Sequence, residues 1–516
     1  MKSSSTETRL LFLLRILVFT GWCALTLWMI YHHELWRDEA DSWLLARDST
    51  LSGMFGILPD KGQPPLWYLI LYPLAKLSHH LPFDWRAMQA INWLAACAAT
   101  WLIVFQSRLQ MAVVIPAVFS FVLSFEYPVI ARNYSLGVLG LFLYASQCAG
   151  KKSRPSRWDL GANTLLCGST VHFMFLAAIL FAMRICKEPP RSRLAVQRTL
   201  YSEWTFLLPF ALSIAVLWPT SHGQFSSSPV KQVAWQNFFD SMTNMFLPFE
   251  VPALLPFLGS IALLALSMAG FRKLSGVWLF LSGLAAIEAI FVFAYYGKAP
   301  RHSGILLVWL VAAQWIASAS AGPDRRSEKK QYNLRLVRRA NLYPLALTLM
   351  TAWNLPLQID IYRIERDLDY SEAYLAAEVL NMAEYKDRQI VCWLPRNCLA
   401  VIAYLSDPTR KFWYPVQERA GTFELWDARS HAVNTYMESR VQPFSTILSD
   451  TRARFKNWGM AGGPLFISSK MVDEPGALGL QLLKTPPGNA WRILDESFWI
   501  YAPSGDSAGA QGATLP

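Results

Sequence analysis

The chain has 516 residues, more than one ordinary domain requires. Hydrophobic residues make up 53% and charged residues 16%, against roughly 45–50% and 25% in soluble globular proteins, so an ordinary soluble enzyme is excluded and a membrane protein is indicated. The net charge of +11 does not mark a nucleic-acid binder, because the basic residues fall in short clusters between apolar runs, the pattern of cytoplasmic loops.

A bilayer core needs about 20 apolar residues per helix, and Lys and Arg collect on the cytoplasmic side. Lys2 and Arg9 precede an apolar run from Leu10 to Ile30 with Arg15 inside it. The run is too long for a signal-peptide core and no A-x-A site follows, so it is predicted to be a retained first span running inside to outside. Residues 31–84 then form a long external loop. Spans follow at 86–105, 111–126 and 133–149, ending at the basic run Lys151, Lys152, Arg154. The stretch 159–185 is flanked by bases at both ends, which two half-length helices meeting near His172 would satisfy. Further spans fall at 203–219, 251–269, 277–295, 303–319 and 341–357. Basic loops after 269 and 319 are cytoplasmic, which leaves 220–249 and 296–302 outside. The expected fold is a polytopic α-helical membrane bundle of about eleven spans, and an odd number puts the C-terminal tail outside.

That tail is polar. Residues 390–394 and 464–468 read as buried strands, and Ser371–Ala383 as a helix. The expected organisation is a transmembrane catalytic domain over 1–357, a periplasmic α/β domain over 358–504 and a disordered end over 505–516. Five of the seven cysteines lie in or beside apolar segments, where a thiol behaves as a small hydrophobe. Cys392 and Cys398 in the tail are either a disulfide, if the tail is periplasmic, or two free thiols.

Three external segments carry polar chemistry. The first loop opens with Glu34, Arg37, Asp38, Glu39 and Asp41. A helix starting near Asp38 would lie along the interface on Ala40, Trp43 and Leu44, with Asp38 as either an N-cap or a general base for an acceptor hydroxyl. The loop continues through Lys61, Gln63, Pro64, Pro65, Leu66, Trp67 and Tyr68 into a short juxtamembrane helix at 66–77. The second segment holds Glu126, Arg132 and Tyr134, and here Arg132 could equally pair with Glu126 or snorkel. The third is Tyr295 to His302, containing Lys298 and Arg301. A basic cluster on the outer face breaks the positive-inside trend and fits an anionic ligand such as a phosphate. His172, as a lone histidine, reads more naturally as a packing residue than as a ligand. Chemistry on that face has no access to cytoplasmic nucleotide sugars, so a lipid-delivered substrate suits it.

With Asp38-Glu39 just after the first span, Gln63-Pro64-Pro65-Leu66-Trp67-Tyr68 in the same loop, Ala131-Arg132-Asn133-Tyr134-Ser135-Leu136 opening the fourth span and Arg301-His302 before the tenth, the chain resembles the GT-C superfamily of membrane glycosyltransferases over residues 1–320. It resembles in particular the bacterial relatives of the protein O-mannosyltransferases and of the lipid A aminoarabinose transferase. The resemblance implies an inverting transfer from a polyprenyl-phosphate sugar to a hydroxyl of a lipid, polysaccharide or protein, at the periplasmic face of the bacterial inner membrane. It implies Asp38 as catalytic base with Glu39 in support. It also implies Glu126 as a second acid and a divalent cation, Mg or Mn, as a potential partner of Asp38 and Glu126. Gln63 stands where the family often has His or Lys on the phosphate, and Lys61 is the candidate substitute. Tyr68, Arg132, Tyr134, His172, Lys298, Arg301 and His302 complete the expected substrate site. Competing readings are a lipid or glycan transporter and a polymerase or ligase with a lipid diphosphate donor.

Overall fold

The computed structural model describes residues 5–78, 81, 83–148, 157–187, 203–218, 235–244, 254–271, 273–293, 299–319, 333–392, 395–425, 444–458, 460, 462–487 and 496–504. Lys298 and the expected disordered end lie outside the described residues.

The chain enters through α1 (Ser5–His32), whose 28 residues exceed the length of a bilayer core. Arg15 donates to the Phe105 carbonyl at 3.0 Å, so its charge is answered within the bundle. The first loop is helical throughout: α2 (Arg37–Asp48), α3 (Leu51–Lys61) and α4 (Leu66–Ser78). Next come α5 (Arg86–Trp101), extended by a π-helical turn at Leu102–Gln106, and α6 (Met111–Val118). The expected single span at 111–126 is broken. Pro116 sits inside α6, and the Ser120 hydroxyl bonds the Ala117 carbonyl, which competes with helix continuation before a second π turn at Val122–Glu126.

The bundle continues with α7 (Tyr134–Cys148), α8 (Arg157–Ser169) and α9 (Val171–Lys187). α8 and α9 are two short helices meeting at Thr170, beside His172. They are followed by α10 (Trp204–Leu217), α11 (Trp235–Asn244), α12 (Leu254–Ala269), α13 (Leu274–Phe293) and α14 (Pro300–Ala319). Among the described residues four helical stretches are long and apolar enough to cross a membrane: Glu7–His32, Arg86–Gln106, Leu274–Phe293 and Arg301–Ala319. Shorter apolar helices stand beside them, where about eleven spans were expected. Arg301–Ala319 is the most enclosed of the four, so α14 forms the centre of the bundle.

α15 (Asn333–Asp367) runs ten residues past the domain boundary expected at 357. The tail beyond it is a six-stranded sheet in the order β3-β2-β1-β4-β6-β5. Central β1 (Ile390–Cys392) pairs in parallel with β2 (Phe412–Tyr414) and with β4 (Leu465–Ser468). The outer pairings, to β3 (Arg419–Gly421), β5 (Leu480–Lys484) and β6 (Trp499–Pro503), are antiparallel. α16 (Ala373–Asn381), α17 (Pro395–Ala403) and α18 (Phe444–Arg454) accompany the sheet, and Cys392 is disulfide-bonded to Cys398. One apolar cluster runs without a break from Trp43, Leu44 and Trp67 of the first loop to Leu399, Phe412 and Ile467 of the sheet domain. The first loop is therefore the floor of the tail domain. α2 is buried there and does not lie along a lipid interface as expected, because its apolar face found α17 and α4 as partners.

Within the bundle, α13 and α14 approach so closely that a Cβ at Gly283 would meet the Trp309 indole at 2.2 Å. Gly283→Ala is expected to destabilise the protein by about 1–3 kcal/mol through overpacking. Gly161→Ala, which meets nothing within 4 Å, should leave the unfolding transition of detergent-solubilised protein unmoved.

Candidate active site

The site is assembled at the start of α2. Trp36 is the extended residue before the helix, and the Glu39 carboxylate reaches back to its N–H at 3.3 Å. This closes the helix start from Glu39, so Asp38 is not the N-cap. Asp38 occupies the first turn, where an acid is favoured by the helix dipole. Its Oδ2 meets Arg132 Nη1 at 2.5 Å and Arg301 Nη2 at 3.4 Å. The two guanidinium groups come from the loop before α7 and from the first turn of α14. Arg301 lies over the Trp36 ring at 5.3 Å, and its Nε is buried without a hydrogen-bond partner. Two cations thus face one carboxylate, at the positive end of a helix that already attracts anions.

Glu39, expected beside Asp38 in catalysis, is fully buried and turned the other way. Its Oε1 accepts from the Ala131 N–H at 2.6 Å and its Oε2 from His33 Nε2 at 3.1 Å. His33 Nδ1 in turn meets Glu365 Oε1 at 2.5 Å, at the end of α15. Glu39 thereby fixes the Ala131 peptide just before Arg132.

The remaining expected residues fall into three groups. Tyr134 and His302 join the site's rim: the Tyr134 hydroxyl is 2.8 Å from His302 Nδ1, Tyr127 stacks on Tyr134, and the Tyr127 hydroxyl donates to the Arg301 carbonyl at 2.9 Å. His172 stacks on His302 behind them. Gln63 accepts from the Asn133 amide at 2.8 Å, so it braces the loop beside Arg132. Lys61 is buried and ion-paired with Asp41, near the Tyr68 ring, rather than open beside Asp38. Glu126 is buried in the π turn. Trp36, His33, Tyr127 and Asn133, which also contact this cluster, were not among the expected site residues, although Asn133 lies in the Ala131–Leu136 motif. The His33-Glu34 pair directly after a span was a visible signal for the second of these. The others depend on contacts across the chain.

A divalent cation fits this donor set poorly. Asp38 is flanked by two guanidinium groups, and among the described residues no group of three or more His, Cys, Asp or Glu side chains is placed to hold a metal ion. A small apolar void lies beside α7, lined by Trp22, Ala96, Ile103, Leu123, Tyr127 and Phe142.

A solved structure, that of ArnT from Cupriavidus metallidurans bound to undecaprenyl phosphate, matches 100% of both chains with a TM-score of 0.50 at 12% sequence identity. This chain shares the fold of that ArnT structure. The likeness is one of fold, and no protein-family model and no curated protein matches the sequence.

Burial opposes charge on His33, but Glu39 and Glu365 outweigh it and raise the imidazole from its ordinary 6.5 to about 10. A raised pKa means that the folded state holds the proton more tightly than the unfolded chain. The stabilisation is therefore complete below about pH 6.5 and is lost as pH rises through about 10. His33→Gln should lower the unfolding temperature at pH 6 and flatten its decline between pH 7 and 10, as followed by thermal unfolding in detergent. A wild-type pH profile in that variant would refute the assignment.

Proposed function

We propose that the chain transfers a sugar, with inversion, from a polyprenyl-phosphate carrier to an acceptor hydroxyl at the outer face of a bacterial inner membrane. The observation that carries this reading is the convergence of two guanidinium groups on Asp38. Arg132 and Arg301 both meet its carboxylate, and the buried Arg301 Nε–H has no acceptor. A lipid phosphodiester supplies an acceptor for that donor, and the planar guanidinium fork suits its oxygens. The binding of undecaprenyl phosphate by ArnT, which shares the fold, supports the same lipid here.

In this mechanism the phosphate competes with Asp38 for the two arginines. The carboxylate is thereby released to accept the proton of the acceptor hydroxyl. The hydroxyl oxygen attacks the anomeric carbon in line, and the bond from that carbon to the phosphate oxygen breaks. The leaving phosphate gains a second negative charge, which Arg132 and Arg301 stabilise more strongly than the single charge of the donor. A preorganised interaction of this kind contributes roughly 3–4 kcal/mol. Trp36 holds the Arg301 guanidinium in place, and the rim pair Tyr134–His302 orders the residues around it.

Asp38→Asn is expected to slow transfer from undecaprenyl-phosphate-linked sugars by about 10²–10⁴-fold in nanodiscs, with the unfolding transition retained. Transfer at the wild-type rate would remove Asp38 from the mechanism. Arg301→Lys keeps the charge but loses the fork, and should cost about a hundredfold in turnover.

The orientation is tested separately. A membrane-impermeant maleimide should label Ser52→Cys, exposed in α3, in intact spheroplasts. It should reach Ser327→Cys in the basic loop only after permeabilisation. The opposite result would put the site on the cytoplasmic side.

A further inference from the structure

The helix α11 has the reverse of the polarity that suits a helix in water. Trp235 and Phe239, one turn apart, are 63% and 47% exposed, whereas Ser241 is buried. A surface helix of a soluble protein puts its apolar stripe inward and its polar residues outward. Here the polar side chains face the bundle. The Asn237 amide donates to the Phe291 carbonyl at 2.9 Å, one of the last carbonyls of α13, which have no partner within the helix. The Ser241 hydroxyl lies 2.9 and 2.7 Å from the two carboxylate oxygens of Glu288, a buried acid inside α13. The Ser303 hydroxyl donates to the Asn244 carbonyl at 3.4 Å, which ties the end of α11 to the first turn of α14, two residues from Arg301.

These contacts fix the level of α11. Asn237 and Ser241 are about one turn apart, and so are their partners Phe291 and Glu288, so α11 runs beside the last turns of α13 in the opposite direction. Phe239 lies between Asn237 and Ser241 and is therefore level with residues 288–291, within the stretch Leu274–Phe293 that is long and apolar enough to cross a membrane. The Phe239 ring meets Phe257 of α12 at 5.4 Å, and Leu254 and Leu258 of α12 are 67% and 52% exposed. The apolar surface thus continues from α11 onto α12. Gln236 donates to Asp240 at 2.8 Å, and this pair forms a polar strip next to the aromatic one. A helix packed beside the end of a spanning helix shares its surroundings. Acyl chains match the aromatic stripe in both composition and level, with the polar strip toward the head groups.

We propose that α11 is sunk into the bilayer and that its Trp235–Phe239 stripe contacts the acyl chains of membrane lipid. This stretch of the 220–249 loop is then a lipid-facing wall of the bundle beside Arg301 instead of a segment in water. The inference stands independently of the glycosyl-transfer reading.

The test uses the full-length chain in phosphatidylethanolamine–phosphatidylglycerol liposomes. Cys23, Cys97, Cys148, Cys167 and Cys186 are replaced by alanine and the Cys392–Cys398 disulfide is kept. A nitroxide is attached in turn to Trp235→Cys, Gln236→Cys and Phe239→Cys. Oxygen, which concentrates in acyl chains, should relax the labels at 235 and 239 more than a water-soluble nickel chelate does, and the order should invert at 236. Nickel exceeding oxygen at 235 and 239 would place α11 in water and overturn the proposal. Labels at 235 and 239 that neither reagent reaches would show the stripe covered by a second copy of the chain, which overturns it equally. If the cysteine-depleted protein does not fold, benzoylphenylalanine is incorporated at 239 of the otherwise unchanged chain. Irradiation should then attach radiolabelled phospholipid, and a cross-linked dimer or no lipid adduct would refute the assignment.

Discussion

The arrangement of the site depends on one buried ionic contact, that of His33 with Glu39. Both side chains are fully enclosed, and Glu365 meets the imidazole from its other side. The same Glu39 carboxylate accepts the N–H groups of Trp36 and Ala131. A single side chain thereby joins the end of the first span, the start of α2 and the loop that carries Arg132, while Glu365 adds the end of α15. Removing one partner leaves the others buried and uncompensated, which typically costs 3–5 kcal/mol. That stiffness lets Asp38 and Arg132, neighbours of Glu39 and Ala131, meet at hydrogen-bond distance although they are 94 residues apart.

The sheet domain is held to the same node. The Glu34 carboxylate accepts the Tyr370 N–H at 2.7 Å, and the Tyr404 hydroxyl accepts the Leu35 N–H at 2.8 Å. Glu496 takes the Arg37 N–H on one oxygen and the Ser371 hydroxyl on the other. Residues 34, 35 and 37 thus each bind the tail within four positions of Asp38. Burial raises Glu34 to about 7, with Tyr370 and His33 working against it, so this contact is sensitive to pH near neutrality. Movement of the sheet domain would be transmitted to α2 with little slack, because residues 34, 35 and 37 are all hydrogen-bonded to it.

Much of the bundle was legible in the sequence. α1, α5, α7, α13 and α14 lie where apolar runs and flanking bases put them, because hydropathy acts locally and a bilayer rewards length. The broken span at 111–126 was misread, since average hydropathy ignores what Pro116 and Ser120 do to the helical ladder. The polar segments were each recognised as exceptional. Their division of labour was not, because Asp38 and Glu39 are adjacent acids with the same composition signal and opposite orientations.

Taken alone, the sequence determined that the chain is a membrane protein, where most of its helices run, and that the acids after α1 and the bases at the start of α14 stand apart from the apolar segments around them. Those properties follow from the transfer energy of each segment, which depends on its own residues. Only the tertiary structure decided that Asp38 faces two arginines, that Glu39 is a buried brace, that Lys61 answers Asp41, and that the first loop is the floor of the sheet domain. Each of these is set by which groups are enclosed together, and desolvation makes a buried charge choose its partner from whatever distant segments the packing brings within reach.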